Sequence, residues 1–237
     1  MASVALSSKA VGSTVKLKVN GVAKEFIVVH QGKPSSLYDA SCDGTWLLMK
    51  DIYEQRRWHG TNVNNLENST IHSYLNGTFL DLFDADIKAQ IKQVKLPYRK
   101  NGGSGGTDQS GANGLSCKIF LLSGYEVGWT TSDNSYFPVD GAKLSYFTAG
   151  TAAANTKRIA NYNGAAAYWW LRSPRTPTTP ATLGASAPTA VTASATAPSR
   201  MVCAPLWYFP LHSWSLMMGR LRRTRPRRSP ASAEALE

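Results

Sequence analysis

The sequence has few cysteines, no long apolar run and no cluster of metal-binding residues. Its cysteines are Cys42, Cys117 and Cys203. Their wide spacing excludes a zinc-finger pattern and a disulfide framework. Its histidines are His30, His59, His72 and His212, and none has the spacing of a metal-binding motif. No apolar run approaches the roughly 20 residues that a membrane-spanning helix needs, so we expect no metal, no cofactor and no membrane partner.

Recognised catalytic motifs are also missing. The sequence has no Gly-x-Ser-x-Gly elbow, and the glycine-rich stretch at 101–116 is not closed by the Gly-Lys-Ser/Thr of a phosphate loop. We therefore expect a noncatalytic protein. The alternative is an enzyme that uses Cys42 or Cys117. These two cysteines could also form a disulfide, although free buried thiols are the simpler interpretation.

The last part of the chain lacks residue types that are common elsewhere. Residues 173–237 contain no Asp, Asn, Gln, Lys or Ile, but they contain eight Arg and two acidic residues. Solvated linkers normally use Lys, Gln and Asn freely, so this composition is unusual. The run RLRRTRPRR at 220–228 favours nonspecific binding to nucleic acid. We expect an irregular tail over 175–237, with no specific nucleic-acid partner.

Local patterns predict the order of elements before that tail. Residues 15–19 alternate apolar and polar before Asn20-Gly21, and Val22, Phe26 and Val28 continue with period two after it, which predicts a β-hairpin with a type I′ turn. Helical spacing predicts helices over 69–83, with Ser69 as the cap, and over 84–95. Short strands are predicted at 45–53, 118–122, 143–147 and 167–172. This order predicts an α+β fold rather than a parallel α/β sheet.

Two tryptophans stand next to each other near the end of the regular part. In a strand over 167–172, side chains alternate, so Trp170 and Arg172 share one face and Trp169 lies on the other. One interpretation is structural, with one tryptophan in the core and the other under a loop. The other is a ligand platform, because Trp and Arg are favoured binding anchors. Tyr136, the loops after Asn101 and at 133–136, and the region that follows Trp170 are further candidate ligand contacts.

Several segments resemble a domain family of unknown function that occurs in gut bacteria and their phages. They include IHSYLNGTFLDLF, IKQVKLPY, FLLSGYEVG and the specific run WWLRSP. The resemblance covers about residues 12–174. It implies a C-type-lectin-like domain over 1–174, related in fold to formylglycine-generating enzymes and to retroelement variable proteins. Such a domain has an N-terminal hairpin, two helices and a small antiparallel sheet.

The resemblance also implies a function. It suggests a noncatalytic ligand-binding or display domain of a phage virion or bacterial surface protein, which binds a host-surface glycan or protein. Enzymatic activity on the formylglycine-generating scaffold, using a cysteine, is the alternative, and binding of nucleic acid through the basic tail is another. The N-terminus lacks the basic start and apolar centre of a signal peptide. The sequence indicates neither a cellular location nor an oligomeric state.

The chain departs from this family after Pro174. Members of the family close with Gly-Val-Arg-Pro-Ala-Leu, whereas this chain reads MVCAPLWYFP near that place. When codons are read with a one-base slip, Met201-Val202 can give only glycine and Trp207-Tyr208 can give only valine. The shifted reading can be Gly-Val-Arg-Pro-Ala-Leu-Val-Leu-Pro. We hypothesise that the tail is read out of frame and that the domain is incomplete at its C-terminal end. The alternative is a genuine Pro/Ala/Thr linker with a basic arm.

Overall fold

The computed structural model describes most of the chain up to Pro174 and four short segments beyond it. The described ranges are 5–61, 63–102, 105–129, 137–150 and 156–174, followed by the backbone of 182–186, 192–196, 200–203 and 206–210. Tyr136, the stretch at 133–136 and the basic run at 220–228 therefore lie outside the described residues.

The described residues form sixteen short strands. These are β1 (Thr14–Val19), β2 (Val22–Gln31), β3 (Gly44–Met49), β4 (Glu54–Arg57), β5 (Val94–Leu96), β6 (Tyr98–Lys100), β7 (Thr107–Gln109), β8 (Leu115–Cys117), β9 (Ile119–Phe120), β10 (Ala160–Tyr162), β11 (Ala165–Ala167), β12 (Trp169–Pro174), β13 (Thr182–Ser186), β14 (Thr192–Thr196), β15 (Arg200–Cys203) and β16 (Leu206–Pro210). One sheet has the order β1-β2-β3-β16-β9, and a second has the order β14-β13-β12-β15-β4. Three further sheets each contain two strands, β5-β8, β6-β7 and β10-β11.

Helices are short and cluster between β4 and β5. They are α1 (Thr70–Tyr74), a π-helical turn (Leu75–Phe79), a 3₁₀ turn (Leu80–Leu82) and α2 (Ala85–Gln90). Other 3₁₀ turns span Leu6–Ser8, Ala40–Cys42, Gly111–Asn113 and Thr156–Arg158. Within the described ranges, no helix is long and apolar enough to cross a membrane. The mixture of short helices and small, mainly antiparallel sheets confirms the α+β prediction.

The predicted hairpin is confirmed. Strands β1 and β2 pair antiparallel with Val19 opposite Val22. Asn20 and Gly21 both have positive φ, at 51° and 73°, as a type I′ turn requires. The turn is therefore set locally, by two residues that tolerate the left-handed region.

The first predicted helix forms, but it changes character in the middle. Ser69 caps it as expected, because its hydroxyl accepts a hydrogen bond from the His72 backbone N–H. The π-helical turn then begins at Leu75, where Asn76-Gly77 interrupts the α-helical pattern. The Asn76 side chain reaches out of the helix and binds the backbone of Lys118 and Ile119. A tertiary contact thus stabilises the irregular turn, which local spacing cannot indicate.

Two local predictions are wrong. The helix predicted over 84–95 ends at Gln90, and β5 pairs with β8 instead, with Val94 opposite Cys117. Val94 and Leu96 are buried on either side of exposed Lys95, so packing favours a strand there. The strand predicted at 143–147 is a turn. Its backbone is held by long-range bonds, including one from the Tyr146 N–H to the Val29 carbonyl.

The core consists of two apolar clusters on opposite sides of β3 and β12. Leu47 and Trp170 belong to one cluster, and Trp46 and Trp169 belong to the other. All six residues of β3 are buried, because both faces of this strand are covered. Such a strand also needs hydrogen-bonded neighbours on both edges.

The segment β16 provides one of those neighbours. It lies antiparallel between β3 and β9, with Leu206 opposite Leu48 and Pro210 opposite Gly44. Strands β13 and β15 flank β12 in the second sheet. At β13 to β16 the structure thus differs from the irregular tail that we expected. The physical reason is that β3 and β12 need hydrogen-bonded strands on both edges. In addition, the aromatic run LWYF favours a strand. The other residues of the tail lie outside the described ranges.

Candidate functional site

The paired tryptophans of β12 are both interior residues. Trp170 is fully buried and packs edge-to-face against Trp58, with ring centroids 5.9 Å apart. Its indole N–H donates to the Arg56 carbonyl at 3.0 Å. Trp169 is 1% exposed, and its indole N–H donates to the Arg158 carbonyl at 2.9 Å. Each tryptophan thus fills one core cluster and satisfies its single donor, as buried indoles do.

Arg172 forms a buried ion pair with Glu126. The two guanidinium ends each lie 2.6 Å from a Glu126 carboxylate oxygen, and neither side chain is exposed. This is the bidentate geometry that makes Arg–carboxylate pairs strong. Burial lowers the pKa of Arg172, but the charge and hydrogen bonds of Glu126 more than offset that effect and raise it. The guanidinium is therefore permanently charged and fully paired.

The remaining donors of Arg172 bind backbone carbonyls. The Nε–H donates to the Pro97 carbonyl at 3.2 Å, and the terminal nitrogens donate to the carbonyls of Leu121 at 2.9 Å and Asp140 at 2.7 Å. Together with the two bonds to Glu126, these account for all five N–H groups of an arginine. One side chain thus joins four separate segments of the chain.

Glu126 has an equally complete set of partners. It accepts hydrogen bonds from the Tyr38 hydroxyl at 2.6 Å and from the Ser123 backbone N–H at 2.9 Å. The Tyr38 oxygen in turn accepts from the Ala142 N–H at 3.0 Å. Burial, followed by the negative charge of Glu126, raises the pKa of Tyr38, so this phenol stays neutral and donates. The carboxylate is therefore stabilised by neutral donors in addition to Arg172.

A second carboxyl group completes what we call the anchor cluster, defined as Tyr38, Glu126, Asp140, Arg172 and Ser173. The Ser173 hydroxyl lies 2.8 and 3.0 Å from the two carboxyl oxygens of Asp140, and it also accepts from the Gly124 N–H at 2.8 Å. All five residues are at most 2% exposed. The cluster has no open face toward solvent, so a dissolved ligand cannot reach it in this conformation.

The anchor cluster joins described residues that are far apart in the sequence. Arg172 contacts the chain at Pro97, which immediately precedes the β6–β7 hairpin and its loop after Asn101. Asp140 follows the segment 130–136, and Ser173 precedes the segment that starts at 175. The arrangement therefore has a mechanical role, because it fixes Pro97, Asp140 and Ser173 relative to one another.

The predicted site residues come together only in part. Trp169, Trp170 and Arg172 lie side by side in β12, but they are buried, which favours their structural interpretation over an exposed platform. Tyr136 lies outside the described residues. The other members of the anchor cluster, Tyr38, Glu126, Asp140 and Ser173, are not among the predicted site residues. The available signals were an isolated Glu126 in the apolar run GYEVGW and Asp140 before a glycine.

The two cysteines of the described body are not activated. Cys42 and Cys117 are free and buried. Burial raises the pKa of the Cys42 thiol to about 12, and burial also raises the pKa of Cys117. Reactive cysteines have the opposite properties, a lowered pKa and access to solvent.

Histidines and acidic residues do not assemble a metal site in the described part of the chain. No group of three or more His, Cys, Asp or Glu residues is placed to hold a metal ion there. His30 is engaged by Ser145, whose hydroxyl lies 2.7 Å from its Nδ1 atom. Burial lowers the pKa values of His30 and His72, so both rings are neutral at physiological pH.

A partly enclosed cavity of about 160 Å³ lies beside the second core cluster. Its lining residues include Lys50, Tyr146, Lys157, Asn161 and Trp169. The Lys157 ammonium donates to the Tyr146 carbonyl at 2.8 Å, and it lies 4.9 Å from the centre of the Tyr146 ring.

Comparison with known proteins places the chain in a family without a known activity. No curated protein sequence matches it, and no solved structure does. The family model of a domain of unknown function, DUF6273, matches residues 43–211. That range covers more than two thirds of the 237 residues and extends through β16. The chain therefore belongs to the DUF6273 family.

Proposed function

We propose that this chain is a noncatalytic ligand-binding or display domain with a C-type-lectin-like fold, belonging to a phage virion or bacterial surface protein. The family resemblance of the WWLRSP run motivates the fold and the setting. The observation that supports the function is the anchor cluster. In it, a buried, fully paired Arg172–Glu126 unit holds Pro97 and Asp140, the described residues next to the proposed contact segments.

A rigid base with loops above it is a common way to build a binding surface. Loop residues can change without loss of the fold when the scaffold is held by contacts that do not involve the loops. In this chain, every donor of Arg172 binds Glu126 or a backbone carbonyl of Pro97, Leu121 or Asp140. The proposed ligand contact is therefore the surface formed by the residues after Asn101 and by the segment 130–136.

The alternative functions have less support. An enzyme that uses Cys42 or Cys117 needs an accessible thiolate, whereas burial raises the pKa of both thiols. The basic run at 220–228, on which nucleic-acid binding depends, lies outside the described residues. Neither alternative has an observation that favours it over ligand binding or display.

A binding screen with a loop variant tests the proposal. The full chain is screened against an array of bacterial cell-surface glycans and against intact gut bacteria. A variant replaces residues 130–136 by seven Gly and Ser residues. The control variant carries Lys16→Gln and Lys18→Gln on the exposed face of β1. Thermal unfolding of all three proteins checks that the fold is retained.

The proposal predicts that at least one glycan or cell type binds the full chain and the control variant equally. Binding by the loop variant should be at least about tenfold weaker, which corresponds to about 1.4 kcal/mol, while its melting temperature stays unchanged. Binding that survives the loop replacement would contradict the proposed surface. Failure to bind any glycan or cell would contradict the proposed function.

A further inference from the structure

Asp140 occupies an interior position that is unfavourable for a charged carboxylate. The residue is 1% exposed, and its two carboxyl oxygens lie 3.0 and 2.8 Å from a single partner, the Ser173 hydroxyl. A hydroxyl has one proton to donate, whereas an ionised carboxylate has about four acceptor sites. A buried carboxylate with one donated bond is costly.

Arg172 does not relieve this shortage. Each of its five N–H groups is already engaged, and its one contact with Asp140 is to the backbone carbonyl rather than to the carboxylate. Its positive charge is balanced by Glu126 at 2.6 Å. Ionised Asp140 would therefore add an unbalanced negative charge to a closed cluster.

Among the residues that the structure describes, the other charged and titratable groups around Asp140 supply no second cation. Glu126 and Tyr125 face it from the turn before Trp129, and Asp108 faces it from β7. Tyr38 joins the same cluster through Glu126. Burial raises the pKa of Asp140 to about 7; Arg172 and Ser173 oppose this shift, whereas Glu126 and Asp108 add to it.

The protonated form fits the observed distances. A neutral Asp140 carboxyl donates its O–H to the Ser173 oxygen, and the Ser173 O–H donates to the other carboxyl oxygen. Both short contacts, 2.8 and 3.0 Å, are then hydrogen bonds. The Ser173 oxygen still accepts from the Gly124 N–H at 2.8 Å, so each group has a partner.

We propose that Asp140 is a proton-binding site that makes the contact between residues 137–142 and Ser173 sensitive to pH. Below neutral pH, Asp140 of the folded chain is a neutral acid. Its ionisation, with release of the proton to solvent, weakens the hydrogen bonds between Asp140 and Ser173. This property is independent of the proposed ligand-binding or display function. Raising the pH through neutrality should increase the mobility of residues 137–142 and of Ser173 without unfolding the rest of the domain.

The sign of the effect follows from linkage. Unfolded Asp has a pKa of about 3.9, below the value of about 7 in the folded chain. Between these values the folded chain binds more protons than the unfolded chain, so stability falls as the pH rises from about 4 to about 7. The contribution of this group becomes constant above that window.

Thermal unfolding of matched variants between pH 5 and pH 8 tests the proposal. Asp140→Asn mimics the neutral acid, because its amide can donate to the Ser173 oxygen and accept from its hydroxyl. Asp51→Asn removes an exposed carboxylate outside the anchor cluster and serves as the control. We expect the melting temperature of Asp140→Asn, relative to the unmodified chain, to rise by about 5–10 °C over this range. The corresponding difference for Asp51→Asn should change by less than about 2 °C.

Titration of the unmodified chain, followed by NMR, tests the proposal without any variant. Carbon-13 NMR of the aspartate side-chain carboxyls in the unmodified chain should show one group that titrates near neutral pH. Hydrogen exchange at 137–142 should speed up over the same range. If every aspartate carboxyl titrates below pH 5, or if the pH dependence of Asp140→Asn parallels that of the unmodified chain, the proposal is wrong.

Discussion

The anchor cluster and the β2–β3 strand pair both have close ion pairs, but one pair is buried and the other is exposed to solvent. Arg172 and Glu126 are 2.6 Å apart with both side chains fully buried. Lys50, directly after β3, and Glu25, in β2, are 2.7 Å apart with 48% and 37% of their side chains exposed. Water and salt screen the second pair, and its long side chains lose conformational freedom when they meet.

The distance between two charged groups does not by itself determine how much an ion pair contributes to stability. The buried pair connects segments that are far apart in the sequence, and each partner would be an uncompensated buried charge without the other. The surface pair joins two neighbouring strands that already share backbone hydrogen bonds. We therefore expect substitutions in the two regions to have very different effects.

The largest effect is expected for Glu126→Gln. This change leaves the Arg172 charge buried without a carboxylate, and breaking such a pair typically costs about 3–5 kcal/mol. The matched control is Glu25→Gln, whose effect on the free energy of unfolding should lie within experimental error. Urea denaturation of both variants measures the contrast. Equal losses of stability in the two variants would remove the distinction between the regions.

A smaller loss is expected for Asn76→Ala, which tests a neutral anchor instead of a charged one. Its side chain accepts from the Lys118 and Ile119 N–H groups and donates to the Ile119 carbonyl, at 2.7, 3.2 and 2.9 Å. Removing these bonds leaves backbone groups unpaired and should cost about 2–3 kcal/mol. Asn113→Ala, at an exposed position, is the control, and it should change the midpoint of urea unfolding little. A similar midpoint shift in both variants would contradict the anchoring role.

The smallest effects concern two glycines with opposite expectations. Gly21 has a φ of +73° in the hairpin turn, so Gly21→Ala should destabilise the chain by about 1 kcal/mol. Gly77 has no positive φ and open space around the added methyl group, so Gly77→Ala should stabilise the helical segment by about 0.5–1 kcal/mol. Differential scanning calorimetry measures both changes. A shift of the same sign for both variants would show that local backbone geometry does not control these sites.

How far the fold is predictable from the sequence depends on the range of the interactions. The hairpin is predictable because Asn20-Gly21 determines its turn locally. The turn at 143–147 is not, because long-range bonds such as that from the Tyr146 N–H to the Val29 carbonyl hold its backbone. The helix predicted over 84–95 stops early for the same kind of reason, since Val94 pairs with Cys117.

The candidate site is predictable only in its most conspicuous residues. Adjacent tryptophans and Arg172 draw attention to β12, and alternation assigns them to faces. Alternation does not reveal that both faces are covered or that the partner of Arg172 lies 46 residues away. Glu126 and Asp140 have no local pattern that marks them, so the anchor cluster emerges only from the three-dimensional arrangement.

The frame-slip hypothesis for the tail remains a prediction. The family match and the placement of β16 both extend beyond Pro174, where the sequence departs from the resemblance. Residues 201–210, whose shifted reading contains Gly-Val-Arg-Pro, cover most of β15, which pairs with β12, and all of β16, which pairs with β3. Sequencing the encoding DNA tests the hypothesis. If no one-base change restores this closing run, the tail is a genuine part of the protein.

The most direct test of the scaffold role of the anchor cluster is a double-mutant cycle on its ion pair. The free energies of unfolding of Glu126→Gln, Arg172→Met and the double variant are compared with that of the unmodified chain. Because the pair is buried and bidentate, we predict a coupling energy of at least about 2 kcal/mol, with each single variant less stable than the double variant. A coupling energy near zero, together with unchanged stability of both single variants, would show that Arg172 does not hold the scaffold together.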